Sequence, residues 1–420
     1  MNNYTLNPNE MKREISNLCK QIAVDVNKPR QKFVFEMIYG IARQNSCRLA
    51  DIARALKEDN KLINTIDRLS TNMLMFNEEE KEQLWSRYHE KVYSFFDDED
   101  PIVLLDDSDV AKRASKKLED LDRVIDASSE DKETVPGYHV CEAVILGKQE
   151  RQPISVYSKI YSCKSDSFES KKTYTLKSID TARKVLKKSA TFVADRAYDD
   201  DKIYDYLESK GDKFVIRLKD RNLIFKGKSR NIKEVAKTRK GKICMTLKFQ
   251  GEEKKCYLSY TKVRRPKRKD KEYTFIVVYG LSEDEPMMLL TNREIKNLHD
   301  LRVAVRLYFS RWRIEEYFRA KKQSYGFEKY MVRTLEAMNT MNMLLTFLMG
   351  YLGTLAEKVN ERLLTIKLIY ASQSLVDKPI VWLSQLARGL GEILYNAKTG
   401  IQAFLNIEHR YQNRQLSLFR

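Results

Sequence analysis

The stretch PIVLLDDSD, residues 101–109, decides how this sequence is read, because it places carboxylates directly after an apolar run. Ile102–Leu105 predicts a short buried strand, and Asp106 follows it at once. A second run, Thr191–Ala194, ends in the same way at Asp195. Open α/β sheets place their active sites at the carboxyl ends of strands, although an aspartate after a strand is more often a turn or N-cap residue.

The sequence around these two runs predicts an α/β domain with a mixed sheet. Three further runs read as strands: Tyr138–Leu146, Ile154–Tyr161 and Lys213–Leu218. Helical patterns cover Ser178–Ser189 and Asp200–Lys210. A group of strands followed by alternating helices and strands is typical of this fold class.

Residues 220–291 break the alternation and carry most of the charge. Their β-like runs are Ile243–Phe249, Lys255–Tyr260, Tyr273–Tyr279 and Met287–Leu290, which predict a β-rich insertion that is not part of the main sheet. The whole chain has a net charge of +18, and residues 211–271 alone hold 22 Lys or Arg against 6 Asp or Glu. Such a concentration of positive charge favours a polyanionic partner, most simply nucleic acid.

Helical patterns flank the α/β region on both sides. In residues 1–95, Leu49–Leu56 and Lys61–Ser70 are two short helices that fit either a helix-turn-helix, with Lys61, Asn64 and Arg68 facing DNA, or a plain helical bundle. The chain from residue 297 onward also reads as helical. Its most apolar run, Met341–Ala356, is interrupted by polar residues and glycine, which predicts a buried helix rather than a membrane span.

Cysteine and histidine usage argues against a zinc centre and against a disulfide framework. None of the six Cys form a C-x-x-C pair, and the four His do not cluster with them along the chain. The N-terminus is polar and does not resemble a signal peptide. We therefore expect a cytoplasmic protein that does not contact a membrane.

A helix predicted from Leu301 to Lys322 carries the most informative side chains. Tyr308, Arg311, Glu315 and Lys322 are offset by 0, 3, 7 and 14 residues, so they fall within roughly 60° of one helix face at about 100° per residue. Glu316 lies about 100° away from Glu315 and is the weaker candidate. The same stripe would also fit a solvated row of ion pairs, so periodicity alone does not decide its function.

Together these residues resemble a known family. Tyr308-Phe-Ser-Arg311-Trp-Arg-Ile-Glu315, continued to Lys322, is similar to the Tyr-x2-Arg-x3-Glu-x6-Lys signature of DDE transposases from bacterial cut-and-paste insertion sequences. The segments around Asp106 and Asp195 resemble the two aspartate strands of that family, in the same order. The resemblance implies an RNase H-like catalytic fold. It selects Asp106 over Asp107, because the family's aspartate stands two positions before a Ser or Thr.

The resemblance also implies the chemistry and the partners. Asp106, Asp195 and Glu315 would be the catalytic residues and the ligands of two Mg²⁺ ions, with Mn²⁺ as a substitute. Phosphate contacts would come from Tyr308, Arg311 and Lys322. The local excess of positive charge favours further phosphate contacts from the basic run at residues 262–271, through Arg264, Arg265, Lys267 and Arg268. The basic run would otherwise be a solvated hairpin loop. Implied partners are duplex DNA with terminal inverted repeats, target DNA and a second subunit when two ends are bound, in a bacterial cytoplasm close to the nucleoid.

The expected organisation has five parts. Residues 1–95 bind DNA ends, 96–219 and 292–335 form the catalytic core, 220–291 are the basic insertion, and 336–420 form a helical region that is either core or a dimer interface. Two other functions fit the sequence less well. One is an inactive or domesticated transposase that only binds DNA, and the other is a nuclease of the same fold without strand transfer.

Overall fold

The computed structural model describes residues 8–401 except 97, 126–132, 250–251, 282–284, 360–362, 374–378 and 380. Residues 1–95 were predicted to be helical, and their described part holds α1 (Pro8–Ile22), α2 (Lys28–Gln44), α3 (Leu49–Leu56), α4 (Leu62–Met73) and α5 (Glu78–Tyr93). Asn side chains fix two of these starts. Asn27 accepts from the backbone of Arg30 at the start of α2, and Asn77 forms a capping box with Glu80 at the start of α5.

The central region alternates strands with helices. In chain order its elements are β1 (Ile102–Ala111), β2 (Asp122–Ile125), β3 (Thr134–Leu146), β4 (Pro153–Tyr161), α6 (Lys171–Leu186), β5 (Thr191–Ala194), α7 (Asp201–Ser209) and β6 (Lys213–Arg217). A short 3-10 helix, Arg196–Tyr198, follows β5. The first strand runs well past the predicted Leu105, because its second half pairs with β3 as far as Ala111.

The strands of this region form a mixed sheet in the order β4-β3-β1-β5-β6. β1, β3 and β4 pair antiparallel, whereas β5 runs parallel to β1 and β6 runs parallel to β5. The parallel pairs need crossovers, which α6 and α7 provide. The predicted fold class, an α/β fold with a mixed sheet, is therefore confirmed, and this strand order is consistent with the expected RNase H-like fold.

The insertion was expected to be separate from this sheet, and that expectation is wrong. Its elements are β7 (Asn222–Phe225), β8 (Lys228–Asn231), α8 (Ile232–Lys237), β9 (Ile243–Phe249), β10 (Glu252–Arg265), β11 (Arg268–Tyr279) and β12 (Met287–Thr291). Strand β12 pairs antiparallel with β6, β11 with β12, and β10 with β11. The free edge of β6 would otherwise expose unpaired backbone groups, so the insertion extends the sheet instead of standing apart from it.

The chain returns to helices after the insertion. They are α9 (Leu298–Ser310), α10 (Trp312–Tyr325), α11 (Leu335–Ala356), α12 (Leu363–Ala371) and α13 (Leu383–Tyr395), with a 3-10 helix at Phe327–Lys329. The helix predicted from Leu301 to Lys322 is thus two helices that meet at Arg311. An Asn297–Asp300 capping box starts α9, and Gly326, with a φ of 57°, ends α10 in the left-handed conformation that glycine favours.

The C-terminal helices pack inside the molecule. The residues of α11 are nearly all buried, and this helix packs on β4 and against α2 and α4, while α13 packs on α1 and α2. The run Met341–Ala356 is therefore core, as the sequence favours, and the two helical flanks share one packed layer. None of the helices in the described ranges is both long and apolar enough to cross a membrane. The predicted C-terminal region extends to residue 420, and residues 402–420 lie outside the described part.

Candidate active site

The two strand-end aspartates lie side by side. β1 and β5 are parallel neighbours, and the last aligned pair of their register is Leu105 with Ala194. Asp106 and Asp195 follow this pair directly, so they lie at the same level of the sheet, where β5 ends and β1 continues along β3. The Asp195 carboxylate also caps the short helix that follows it, since Oδ1 accepts from the backbone N–H of Ala197 at 2.7 Å.

Glu315 reaches the same place from the first turn of α10. Arg311, at the junction of α9 and α10, donates from Nη1 to Asp106 Oδ2 at 2.8 Å and from Nη2 to Glu315 Oε1. One guanidinium therefore joins a carboxylate of the sheet to a carboxylate of the helix. The three predicted acidic residues are brought together at one end of the parallel strands.

The electrostatics of Asp106 reflect this crowding. Burial raises its pKa to about 7; Arg311 opposes that shift, and the negative charges of Asp195, Asp107 and Glu315 add to it. Removing this carboxylate from water disfavours its charged form, and like charges nearby disfavour it further. Arg311 pairs with two of these carboxylates, Asp106 and Glu315. The site therefore keeps an excess of negative charge, which a bound cation would offset.

Asp107 belongs to the other face of the sheet. Successive strand residues point to opposite faces, and Asp107 accepts a hydrogen bond from the Tyr198 hydroxyl at 3.2 Å, whereas Asp106 contacts Arg311. Asp107 lies opposite Cys141 in the β1–β3 register, and Asp106 lies opposite Glu142. The geometry therefore separates the two neighbouring aspartates.

The other residues of the predicted stripe are not equivalent. Tyr308 is buried next to Arg311, which lowers the tyrosine's pKa while burial, the larger effect, raises it. Glu316 pairs with Arg319 rather than with the site. Lys322 forms an ion pair with Glu328 at 3.0 Å, seven residues or ~10 Å of helix beyond Glu315. Tyr308 and Arg311 thus lie at the carboxylates, and Lys322 lies further along the same helix.

A buried ion pair that the sequence did not reveal fixes α10 to the sheet. Lys321 Nζ lies 3.1 Å from Glu142 Oε2, and both side chains are fully buried. Ser158 donates to Glu142 at 2.7 Å and accepts from Lys321 at 3.0 Å. Asn342 of α11 also donates to Ser158, at 2.8 Å. This network ties β3, β4, α10 and α11 together next to Asp106, which lies opposite Glu142 in the β1–β3 register. No pattern along the chain distinguishes the buried Lys321 from the half-buried Lys322 that follows it.

The basic run of the insertion divides into buried and exposed residues. Arg265 was expected to contact DNA, but its side chain is 0% exposed and pairs with Asp201, Asp205 and Glu208 of α7, between the rings of Tyr204 and Tyr273. It has no surface left for a phosphate, and its position instead anchors the β10–β11 hairpin to α7.

The other three residues of that run that were expected to contact DNA, Arg264, Lys267 and Arg268, are at the surface. Lys267 is 75% exposed, and Arg264 and Arg268 pair on the surface with Glu272 and Asp270.

In the helix-turn-helix candidate, one of the three residues that were expected to face DNA is instead paired within the protein. Lys61 and Asn64 are exposed at the start of α4. Arg68, in contrast, donates to the buried Glu36 at 2.6 Å and to Glu58 at 2.8 Å. Arg68 therefore holds α4 to α2, and its guanidinium is already occupied by carboxylates.

Part of this chain is similar in sequence to a known protein family. Residues 165–350, somewhat less than half of the chain, match the family model described as the transposase DDE domain. This segment includes Asp195 and Glu315, and Asp106 precedes it. Among solved structures, the chain is similar to the cryo-EM structure of piggyBac transposase synaptic complex with hairpin DNA, at 12% sequence identity and a TM-score of 0.47, covering 98% of this chain and 85% of that one. No curated protein matches the chain. The class that the family match supports is a DDE transposase.

Proposed function

We propose that this protein is a transposase that cleaves DNA at the ends of an insertion sequence and transfers the freed strand into target DNA. The observation that carries the proposal is the meeting of Asp106, Asp195 and Glu315 at one end of the parallel strands. The match of residues 165–350 to the transposase DDE domain supports it.

The donor set fits hard divalent cations. All three proposed ligands are carboxylates, and Mg²⁺ prefers oxygen ligands with one or two carboxylates per ion. Asp106, Asp195 and Glu315 would hold two Mg²⁺ ions, for which Mn²⁺ would substitute. When bound, such ions lower the pKa of attacking water and stabilise charge on the leaving oxygen of a phosphodiester.

The protein's own cationic residues would hold the DNA backbone. Arg311 already spans Asp106 and Glu315, so a phosphate bound at these carboxylates would lie within reach of its planar fork. Tyr308 fixes this guanidinium from the buried side. Lys322 would contact a phosphate further along the strand, and Arg264, Lys267 and Arg268 would contact one flank of the duplex. Lys61 and Asn64 of α4 would face the terminal inverted repeat.

The proposed reaction has two chemically similar steps. Hydrolysis of one phosphodiester frees a 3′ hydroxyl at the end of the element. That hydroxyl then attacks a phosphodiester of the opposite strand or of the target DNA. Two subunits would pair two ends, in a bacterial cytoplasm close to the nucleoid. Incubating the protein and Mg²⁺ with duplexes from the DNA that flanks its gene tests the proposal, because cleavage at an inverted repeat and joining of pre-cleaved ends are both expected.

Substituting the two adjacent aspartates should give unequal losses. Asp106→Asn should reduce Mg²⁺-dependent cleavage by on the order of 10³-fold or more, because the residue faces Arg311 and the other carboxylates. Asp107→Asn should cost less than about tenfold, because that side chain bonds to Tyr198 on the opposite face. Cleavage rates on one end-containing duplex measure both. Equal losses would contradict the assignment.

Neutralising the exposed part of the basic run should flatten the salt dependence of DNA binding. The triple variant Arg264→Gln, Lys267→Gln, Arg268→Gln should reduce the slope of log K against log salt by about 0.9 for each phosphate that the variant no longer neutralises. Fluorescence anisotropy at several salt concentrations measures the slope. The matched control replaces Lys116, Lys117 and Arg123, exposed residues near the opposite edge of the sheet, and removes the same charge. Equal slopes for the two triple variants would assign no DNA contact to the run.

A further inference from the structure

A second group of ligand-type side chains lies on the Asp107 face of the sheet, away from the three carboxylates. Asp122 of β2, His139 of β3 and Cys163, just after β4, each present one ligand atom, and these atoms lie within 4.8 Å of one another. His139 Nε2 is 3.8 Å from Asp122 Oδ2, which is too long for a hydrogen bond. This group could not be predicted from the sequence, because its members are separated by 17 and 24 residues and meet only through the pairing of β2, β3 and β4.

We propose that Asp122, His139 and Cys163 form a binding site for one transition-metal ion of the Zn²⁺ type. Carboxylate oxygen, imidazole nitrogen and thiolate sulfur are the three donors that zinc takes in proteins. Metal–ligand lengths of about 2.0–2.3 Å at a tetrahedral angle place ligand atoms about 3.3–3.8 Å apart, so each pair of ligand atoms needs to approach by at most about 1.5 Å. The set is unlike that of the Asp106 site, which offers only oxygen.

The surroundings of His139 favour this use. Its Nδ1 lies 2.8 Å from Asp109 Oδ1, so the carboxylate accepts the Nδ1 proton and leaves the Nε2 lone pair toward Asp122 and Cys163. A carboxylate behind a ligating histidine is the usual outer partner of a metal-bound imidazole. The ring of Tyr161 packs against the imidazole at 5.4 Å between centroids and fixes its plane.

The site also has room for a fourth ligand. Asp122, His139 and Cys163 line a cavity of about 650 Å³ that Asp107, Asp109 and Tyr198 also line. Three protein ligands with an open fourth position are typical of zinc sites that keep a water or an exogenous ligand. Binding would release the thiol proton of Cys163 and tie β2, the centre of β3 and the end of β4 to one ion.

Cobalt(II) titration of the metal-stripped full-length protein tests the proposal. A thiolate ligand gives Co²⁺ a sulfur-to-metal charge-transfer band in the near ultraviolet, and Co²⁺ held by Asp106, Asp195 and Glu315 gives none. We expect the band to saturate at one equivalent per chain, to be lost in Cys163→Ser, and to be displaced by Zn²⁺. The matched control is Cys244→Ser, since Cys244 is also exposed but lies on β9 of the insertion.

A variant that keeps all three ligands makes the test independent of folding defects. Asp109→Asn should weaken Co²⁺ binding by 10- to 100-fold, because only the orientation of His139 changes. Absence of the band in the wild-type protein, its persistence in Cys163→Ser, or its loss in Cys244→Ser would each overturn the proposal. DNA cleavage is not part of the readout, so this result is separate from the proposed transposase function.

Discussion

Replacing Lys321 with Met should destabilise the protein by about 3–5 kcal/mol, because it leaves the carboxylate of Glu142 buried without its cationic partner. Burial already lowers the pKa of Lys321, and Glu142 opposes that shift. Burying the two charges costs desolvation free energy, which their mutual attraction offsets. When one of the two side chains is removed, the desolvation penalty of the other is no longer offset. The free energy of unfolding in urea is the measurement.

The neighbouring lysine provides the matched control. Lys322→Met removes the same charge from the same helix, but Lys322 pairs with Glu328 at the surface, so about 1 kcal/mol or less is expected. The double variant Glu142→Gln, Lys321→Met should recover much of the loss, because no unpaired charge remains buried. Equal stability of Lys321→Met and Lys322→Met would mean that the pair does not hold α10 in place.

The ion pair also has a functional consequence. Lys321 lies six residues after Glu315 on α10, and Glu142 lies opposite Asp106 in the β1–β3 register. The pair therefore fixes the distance between the sheet carboxylate and the helix carboxylate. We expect any Lys321→Met protein that folds to have lower cleavage activity than the wild type.

Elements of the fold could be predicted from the sequence where a local pattern of apolar residues indicates a strand or a buried helix. Strands at Ile102–Leu105 and Thr191–Ala194 and the buried helix at Met341–Ala356 are local patterns, and the structure contains each of them. The attachment of the insertion to β6 could not be predicted, because strand pairing depends on residues far apart in the chain. The break at Arg311 was also missed, since an unbroken helix has the same apolar period.

In the candidate active site, too, local spacing could be predicted from the sequence and contacts between distant residues could not. The spacing of Arg311 and Glu315 predicted a shared face, and the structure joins them through one guanidinium. Composition could not tell which residues of the basic run are exposed, so Arg265 was counted with residues that face solvent. Nor could it reveal that Lys321 and Glu142 meet, because that contact arises only when α10 packs on the sheet, or that His139 and Cys163 do, because that contact arises only when β3 and β4 pair.

Replacing Glu315 with Gln should have the largest effect on catalysis. The amide keeps the shape of the side chain but removes the negative charge that a divalent cation needs, so cleavage should fall by about 10³-fold or more. DNA binding should change little, because it depends mainly on cationic residues and phosphates. Glu316→Gln is the matched control, since Glu316 is adjacent on α10 and pairs with Arg319 instead.

The most direct test of the central claim is therefore the rate of Mg²⁺-dependent cleavage of an end-containing duplex by the wild type, Glu315→Gln and Glu316→Gln. The assignment of Glu315 as a catalytic carboxylate predicts that the wild type and Glu316→Gln cleave at rates within about tenfold of each other, whereas Glu315→Gln binds the duplex and does not cut it. Cleavage by Glu315→Gln at the wild-type rate, or no Mg²⁺-dependent cleavage by the wild type, would contradict it.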